Sequence, residues 1–309
     1  MAKSQDLIRF PHSVALFKFC FKILELRRPS HKIHDQDLGQ IMDFNPSDTS
    51  HWKRGKKCVK HIPVLENISS ILDVDLEIIQ DIADGLIDID EAWSDFCDAE
   101  EERKLSLEEP SIRVERRDKS IELEKLAKEI LSENKIQKTP IYIPELIAAF
   151  PYVQLIPGDV SDRLARSSRI KPGYYAIRYR KGDIRAHTRI AIAREIARIL
   201  LHSEREKFQL SNRCDVLSYA EIIEFANALL VPRDALAVEI GKISTRANLI
   251  KVLAELFWVP KSVIRARLSS ILLEKAATQV FEAQKLDFSE KFSMSTKSSY
   301  EENQLKETL

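Results

Sequence analysis

Arg194, Glu195 and Arg198 form the pattern Arg-Glu-x-x-Arg within a stretch whose apolar residues recur at helical spacing. Residues four apart share one face of a helix. Two histidines at positions 194 and 198 would therefore hold Zn²⁺, and the glutamate between them would activate a water molecule. Arginine stays protonated and has no lone pair for a metal. The pattern thus predicts two positive charges where a dication would sit, with no bound metal and no catalytic residues.

A second segment points to the same kind of site. Residues 221–232 read Glu-Ile-Ile-Glu-Phe-Ala-Asn-Ala-Leu-Leu-Val-Pro and resemble an element of the ImmA/IrrE family of zinc metallopeptidases, in which the first glutamate is the third metal ligand. Residues 253–268 resemble the helical element that closes the family domain. The resemblance covers residues 120–285 approximately and implies an α+β, zincin-like fold with Glu221 at the ligand position. The stretch 189–202 retains the family residues Arg189, Ala193, Glu195, Leu200, Leu201 and His202.

The departures from the family imply an inactive site, because Glu221 alone remains of three metal ligands. We expect the two arginines to pair with Glu195 and Glu221 and so to fill the metal pocket. His202 follows one turn later on the same face, but the corresponding residue of the active family is not a ligand. The alternative is that these charges are the solvated stripe of an amphipathic helix, with an apolar face of Ile192, Ile196, Ile199 and Leu200.

The first quarter of the chain contains a segment in which short polar residues are followed by cations. Residues 50–56 read Ser-His-Trp-Lys-Arg-Gly-Lys and resemble the second helix of the Cro/phage-repressor-like (XRE) helix-turn-helix family, with Lys53 in place of the usual glutamate. The resemblance implies a contact with double-stranded DNA. The candidate DNA-binding residues are Gln36, Ser47, Asp48, Thr49, His51, Lys53, Arg54, Lys56 and Lys57.

The chemistry of these residues supports the same prediction. A helix that reads DNA presents short polar side chains to base edges and cations to phosphates; residues 47–51 suit the first role, and residues 53–57 with Lys60 suit the second. Lys53 adds a phosphate-seeking charge and removes a possible salt bridge within the domain, which predicts salt-sensitive binding. The alternative is that Trp52 is a core residue beside a solvated basic face.

Charge is unevenly distributed, although the formal net charge of the 309 residues is zero. Residues 1–70 hold 12 Lys and Arg against 7 Asp and Glu, whereas residues 71–110 hold 2 against 15. The basic part comes first and contains the candidate DNA-binding residues. A neutral total therefore does not exclude nucleic acid as a partner.

The composition excludes further classes of protein. An apolar content of 44% with 31% charged residues is typical of a globular protein. The sequence has no run of about 18 apolar residues and no signal-peptide pattern, so we expect a cytoplasmic protein without a membrane partner. No Gly-rich phosphate loop or GxSxG elbow is present. Cys20, Cys58, Cys97 and Cys214 lack CxxC spacing, which argues against a zinc finger or a disulfide framework.

The predicted fold class is mainly α, α+β overall, in four parts. Residues 1–93 are predicted to be an all-α helix-turn-helix domain, with helices at 36–42, 47–53, 63–72 and 76–83. Residues 94–117 are predicted to be a charged linker, or an exposed helix with a break at Pro110. Residues 118–285 should contain a helix from Ile121, strands near 153–156 and 173–180, and the Arg-Glu-x-x-Arg helix. Residues 286–309 are polar and predicted to be disordered.

These features predict a transcriptional regulator that binds DNA as a homodimer, because one reading unit covers a half-site. The ImmA/IrrE-like domain would be inactive and would serve dimerisation, sensing of a small-molecule effector or docking of a protein partner, with no cofactor and no metal. One alternative is a zinc metallopeptidase that cleaves a repressor through a displaced site such as His187, His202 and Glu221. The other is an antitoxin-like or adaptor protein that does not bind DNA.

Overall fold

The computed structural model describes residues 8–106, 110–160, 164–182, 184–203, 219–243 and 248–272. Within these ranges the chain is mainly helical and contains one three-stranded sheet, which confirms the predicted mainly α, α+β class. Cys214 and the polar tail predicted over 286–309 lie outside the described residues. None of the helices in these ranges has the length and apolar character needed to cross a membrane.

A first unit is built from six helices around one hydrophobic core. The core runs from Leu16 to Phe96, and Trp52 is fully buried in it. Trp52 donates its Nε1–H to the carbonyl of Ser13 at 2.7 Å and packs edge-on against Phe17, so it is a core residue, as both interpretations of its segment require. The helices are α1 Pro11–Arg27, α2 Asp35–Ile41, α3 Pro46–Lys53, α4 Ile62–Leu72, α5 Leu76–Asp84 and α6 Ile89–Ser106.

Helices α2 and α3 pack closely across a tight turn. The N-cap of α3 is Asn45, whose Oδ1 accepts the backbone N–H of Asp48 at 2.8 Å, so the expectation that the helix begins at Ser47 or Asp48 was wrong. Proline suits the first helical turn because it needs no N–H partner there, and Pro46 therefore moves the start earlier. A Cβ atom at Gly39 would lie 2.2 Å from Oγ1 of Thr49, so the close approach of the helices requires glycine.

A second unit surrounds a separate core that runs from Leu123 to Ile264. Its sheet has the order β1-β3-β2, in which β1 is parallel and β2 antiparallel to β3. The strand at 165–171 was not predicted individually, because its exposed face continues into Arg169, Ile170 and Lys171 and the alternation is lost. The elements are α7 Pro110–Glu133, α8 Ile143–Ala148, β1 Val153–Gly158, β2 Ala165–Lys171, β3 Tyr174–Arg180, α9 Ala186–Arg198 with a π-helical turn Ile199–Ser203, α10 Tyr219–Leu230, α11 Arg233–Ile240, α12 Leu249–Phe257 and α13 at 261–272.

The stretch 94–117, predicted as a charged linker or as an exposed helix with a break at Pro110, is helical in its described residues. Helix α6 continues to Ser106 and buries Phe96 in the first core, and α7 begins at Pro110. The acidic composition of 94–106 suggested exposure, but Ala92 and Phe96 recur at helical spacing and supply the apolar face that holds α6 in place. The change from one core to the other therefore falls between Phe96 and Leu123, and residues 107–109 lie outside the described part of the chain.

Candidate functional site at the junction of the two units

Helix α9 carries the Arg-Glu-x-x-Arg pattern and lies inside the second unit. Arg194 and Glu195 are each 6% exposed, while Arg198 is half-buried. The interpretation of these residues as a solvated stripe is therefore wrong for the first two. Burial of charged groups is costly unless each finds a partner, so the contacts of these side chains define what the site does.

Arg194 contacts two residues of α6 in the first unit. Its Nη2 contacts Oδ2 of Asp98 on α6, and its Nη1 donates to Oγ of Ser94 at 3.0 Å. Burial would lower the pKa of Arg194, but the charge of Asp98 raises it above its usual range, so the guanidinium stays protonated. The first arginine of the Arg-Glu-x-x-Arg pattern thus holds the neighbouring unit.

Glu195 fixes α9 to the sheet. One of its oxygens, Oε2, accepts the backbone N–H of Ser167 at 2.9 Å and the hydroxyl of Ser167 at 2.5 Å. The same oxygen lies 3.5 Å from Nε of Arg198, one turn along the helix. The carboxylate that would activate water in a metallopeptidase is therefore committed to β2 and to its own helix.

Glu221 does not complete the predicted four-residue cluster. It forms an ion pair with Lys119 of α7 at 3.2 Å rather than with Arg194 or Arg198. The predicted cluster is therefore wrong, although its Arg198–Glu195 pair is present. The physical reason is that α6 and α7 both approach the site and bring their own charges, Asp98 and Lys119, which a pattern within α9 and α10 does not indicate.

We expect Arg198→Ala to destabilise the chain by less than about 1 kcal/mol, because the Arg198 side chain is 38% exposed and its pair with Glu195 is long. Ser167→Ala should cost more, about 1–3 kcal/mol, because a buried carboxylate oxygen loses a hydroxyl donor. Urea unfolding of the two variants beside the wild type checks this order. A larger loss of unfolding free energy for Arg198→Ala than for Ser167→Ala would instead support the predicted charge cluster around Arg198.

His187 makes a second buried contact with α6. Its Nε2 lies 3.0 Å from Oδ2 of Asp95, and its Nδ1 lies 4.0 Å from Oε1 of Glu91. Asp95 also accepts the hydroxyl of Ser262 at 2.8 Å, so one carboxylate of α6 joins the start of α9 to α13. Burial would lower the pKa of His187, but Asp95 and Glu91 raise it above its usual range despite the opposing charge of Arg194.

This raised pKa predicts a pH-dependent stability. The protonated imidazole is favoured more in the folded chain than in the unfolded one, so its stabilising effect is complete below pH 6.5 and is lost as pH rises through the raised pKa. We expect the difference in unfolding free energy between the wild type and His187→Gln to shrink as pH increases from acidic to alkaline. Urea titrations of both proteins over that range measure it. A constant difference would mean that His187 is not charged in this contact.

The remaining charges of α5 and α6 continue the same interface. Asp75, Glu77 and Asp81 pair with Lys261 and Arg265 of α13, at distances that include 2.7 Å from Glu77 to Lys261. At the other end, Asp88 and Asp90 contact Arg180 of β3. We call the carboxylates of residues 75–98 that face the second unit the acidic strip. Eight of the 15 acidic residues over 71–110 thus form the surface on which the second unit docks: Asp75, Glu77, Asp81, Asp88, Asp90, Glu91, Asp95 and Asp98.

A metal site is not formed by the residues that the structure places. Within these ranges no group of three or more His, Cys, Asp and Glu side chains is arranged to hold a metal ion. Of the displaced set, His187 is engaged by Asp95 and Glu221 by Lys119, while the side chain of His202 lies outside the described residues. The three described cysteines, Cys20, Cys58 and Cys97, are free thiols.

The predicted DNA-binding residues fall into two groups. Thr49 is buried: its hydroxyl donates to the carbonyl of Asn45 at 3.1 Å and lies against Gly39, so it is withdrawn from the residues expected to face a base edge. Asp48 is half-buried beside Asn45 and Lys57. The exposed group consists of Gln36, Ser47, His51, Lys53, Arg54 and Lys56.

Lysines on this face already have partners within the first unit. Lys53 forms a salt bridge with Asp35 at 2.5 Å, which is the opposite of the predicted loss of an intradomain pair. Lys57 lies 3.1 Å from Asp48 and 3.9 Å from the ring centroid of Phe44. These pairs lower the positive field at the face, so the affinity for phosphates rests more on Arg54 and on the release of Lys53 from Asp35.

Sequence reasoning missed the partners from outside the motif, namely Ser94, Asp95, Asp98 and Ser167. A signal for Asp95 and Asp98 was present, since residues 71–110 carry far more acid than base and must face a basic surface, a partner or water. No comparable signal marked Ser94 or Ser167. Comparison with models of known protein families finds no match for this chain, and comparison with curated proteins finds no relative.

Proposed function

We propose that the chain is a DNA-binding transcriptional regulator, in which a catalytically inactive ImmA/IrrE-like domain docks on the DNA-reading unit and controls it. The observation that carries the proposal is the buried pair between Arg194 and Asp98. Where a peptidase of this type would hold its metal, this chain holds α6, so the second unit has exchanged catalysis for control of the position of the first. Arginine in place of a metal-ligating histidine supports the loss of peptidase activity.

The exposed face of α2 and α3 supports the DNA-binding part of the proposal. Ser47 lies in the first turn of α3 and His51 in its last turn, and both are exposed and can contact base edges. Arg54 follows the helix and can contact a phosphate, and Trp52 fixes the helix to α1. The acidic strip pairs with cations of the second unit, which offset its negative charge toward a DNA duplex. A homodimer would read two half-sites, which is part of the same proposal.

Selection of bound duplexes from a random DNA pool tests this function directly. The expected result is enrichment of an inverted repeat by the full chain, with half-sites separated by about one helical turn of 10–10.5 base pairs. A pool that remains unenriched at low salt would reject DNA recognition. The selected duplex then provides the probe for the variants discussed below.

An adaptor protein without DNA binding is the second candidate, and one observation favours it. Lys53, Lys57 and Lys60 are paired with Asp35, Asp48 and Asp84, so at least three of the four lysines predicted to contact phosphates at residues 53–60 are neutralised within the unit. If that candidate is correct, Asp35→Asn will not produce a DNA complex even though it frees Lys53.

A further inference from the structure

The sheet of the second unit has one face in the core and one face in solvent. Successive side chains of a strand alternate between the two faces. Tyr175 and Ile177 of β3 enter the core, whereas Tyr174 and Arg178 lie on the opposite face and are exposed. All residues of this opposite face except Ala176 are exposed. We call it the outer face, and it consists of Gln154 and Ile156 of β1, Tyr174, Ala176, Arg178 and Arg180 of β3, and Arg166, Ser168 and Lys171 of β2.

The outer face carries positive charge without carboxylates to balance it. Residues 164–182 contain six Lys and Arg and neither Asp nor Glu. Arg166 and Arg178 lie directly opposite each other in the register of β2 and β3. Neither forms an ion pair with a described residue, whereas Arg180 pairs with Asp88. Like charges directly opposite on a sheet are destabilising, and two neighbouring guanidinium groups can bind one phosphate. The outer face therefore fits a polyanion.

Large apolar side chains share this face with the arginines. Ile156 is the neighbour of Arg178 on β1 and is 37% exposed, and Tyr174 is 43% exposed. Nζ of Lys171 lies 4.1 Å from the ring centroid of Tyr174, so a cation and an aromatic ring are presented together. Tyr174 and Arg178 are four residues apart, which corresponds to about 13 Å along β3. The outer face thus combines cations with apolar and aromatic surface over a short span.

This combination favours single-stranded nucleic acid over a duplex or an acidic peptide. A duplex keeps its bases stacked inside, so its phosphates would use the arginines but leave Ile156 and Tyr174 without a partner. A single strand offers phosphates to cations and unstacked bases to aromatic rings and guanidinium planes. Sheets that bind RNA in this way stack about two or three bases, which suits the span of the outer face. The carboxylates of an acidic peptide would neutralise the arginines but bring no ring to stack on Tyr174.

We propose that the outer face binds single-stranded nucleic acid. Arg166 and Arg178 contact phosphates, Tyr174 stacks on a base, and Lys171 moves from the tyrosine ring to a phosphate as the base arrives. DNA and RNA share this chemistry. The outer face belongs to the second unit and does not include α3, so this contact does not depend on the proposed function.

Fluorescence anisotropy of the full chain with labelled oligothymidylate and oligouridylate of about 12 nucleotides tests the proposal. At low salt at least one of them should bind saturably, and the tighter of the two identifies DNA or RNA as the source. If neither binds at micromolar protein, the proposal is overturned. It is also overturned if polyglutamate of equal charge displaces the labelled strand as effectively as the unlabelled strand does, because the face would then select negative charge alone.

Replacement of the two opposed arginines locates the binding. Arg166→Gln with Arg178→Gln should weaken oligonucleotide binding at least about tenfold and reduce the salt slope by about 1.4, the value for two phosphate contacts of a single strand. Affinity for an unrelated duplex of equal phosphate number should not change. Lys125→Ala with Lys128→Ala removes the same charge from the exposed side of α7 and is the matched control. An equal loss in this control, or an equal loss of duplex binding, would overturn the assignment of the site.

Tyr174 separates stacking from charge. Tyr174→Ala should weaken oligonucleotide binding at least about fivefold, the ratio for loss of one stacked base, and leave the salt slope unchanged. Tyr174→Phe keeps the ring and should bind like the wild type. If Tyr174→Ala binds as tightly as Tyr174→Phe, the face binds phosphates without bases and the proposal is overturned.

The free chain provides a further readout. Arg178→Gln removes a like-charge contact, so its unfolding temperature should equal or exceed that of the wild type although it binds the oligonucleotide more weakly. A lower unfolding temperature would assign Arg178 a structural role and overturn its place in the site. Selection of duplexes from a random pool concerns α3, so either measurement can fail while the other succeeds.

Discussion

Arg194→Leu should lower the unfolding free energy by about 3–5 kcal/mol, because it leaves Asp98 buried without its cation. Removing one member of a buried ion pair costs more than removing both, since the remaining charge keeps its desolvation penalty. The double variant Arg194→Leu with Asp98→Leu should therefore recover most of the loss. Urea unfolding monitored by circular dichroism, with the four proteins of a double-mutant cycle, gives the coupling energy.

A matched control is available in the same interface. Arg180 pairs with Asp88, but its side chain is 43% exposed, so Arg180→Leu should cost no more than about 1 kcal/mol. If Arg194→Leu cost no more than Arg180→Leu, the buried pair would not be the contact that holds the units together. A loss in the double variant equal to the sum of the two single losses would likewise argue against a direct interaction of Arg194 with Asp98.

DNA affinity should respond to three changes on the first unit in three different ways. His51→Ala should relax specificity at one base position and cost about 1–3 kcal/mol, because an exposed side chain at the end of α3 is placed to contact a base edge. Arg54→Ala should weaken binding to all sequences equally and reduce the salt slope by about 1. Asp35→Asn should strengthen binding, because it frees the ammonium of Lys53 that now lies 2.5 Å from Asp35.

Fluorescence anisotropy of the selected duplex across a salt series measures all three effects. Lys125→Ala is the control, because this lysine is exposed on α7 of the second unit and its removal takes away one charge without touching α3. If Lys125→Ala matched Arg54→Ala in both affinity and salt slope, the binding would be non-specific attraction to the whole chain. Weaker DNA binding by Asp35→Asn would mean that the Lys53–Asp35 pair positions Lys53 for DNA instead of reducing the positive charge of the face.

The fold class was predictable because local signals and packing agree. The apolar residues Leu123, Leu126 and Ile130 recur at helical spacing and all enter the core of the second unit. Gly85 ends α5 in the left-handed conformation at φ 74°, as a glycine after a helical pattern predicts. Signals of this kind act over a few residues, so they can be read from one segment at a time.

The site was only partly predictable because its partners are distant in sequence. The contacts of Arg194 and His187 with Asp98 and Asp95 join residues more than 90 positions apart. A motif indicates which residues share a helix face, but it does not indicate which other helix covers that face. The same limit explains Thr49, whose polarity suggested contact with DNA but whose position beside Gly39 places it inside the α2–α3 packing.

Helix α6 connects the two units. Through Asp95 and Asp98 this helix binds the basic positions of α9, and through Phe96 it belongs to the core of the first unit. Under the proposed function, a change in that docking would alter how two α3 helices present themselves to a DNA duplex. Under the same proposal, control of DNA binding would then require no chemical step at Arg194, Glu195 and Arg198.

Zinc content tests the central claim, that arginine and α6 have replaced the metal, more directly than any other measurement. The full chain, purified without chelators and again after incubation with zinc sulfate and desalting, is analysed by elemental mass spectrometry. The account predicts trace zinc in both samples, because Arg194 and Arg198 supply no ligand and Glu221 is paired with Lys119. About one zinc per chain in either sample would contradict it and would require a metal site with a different set of ligands.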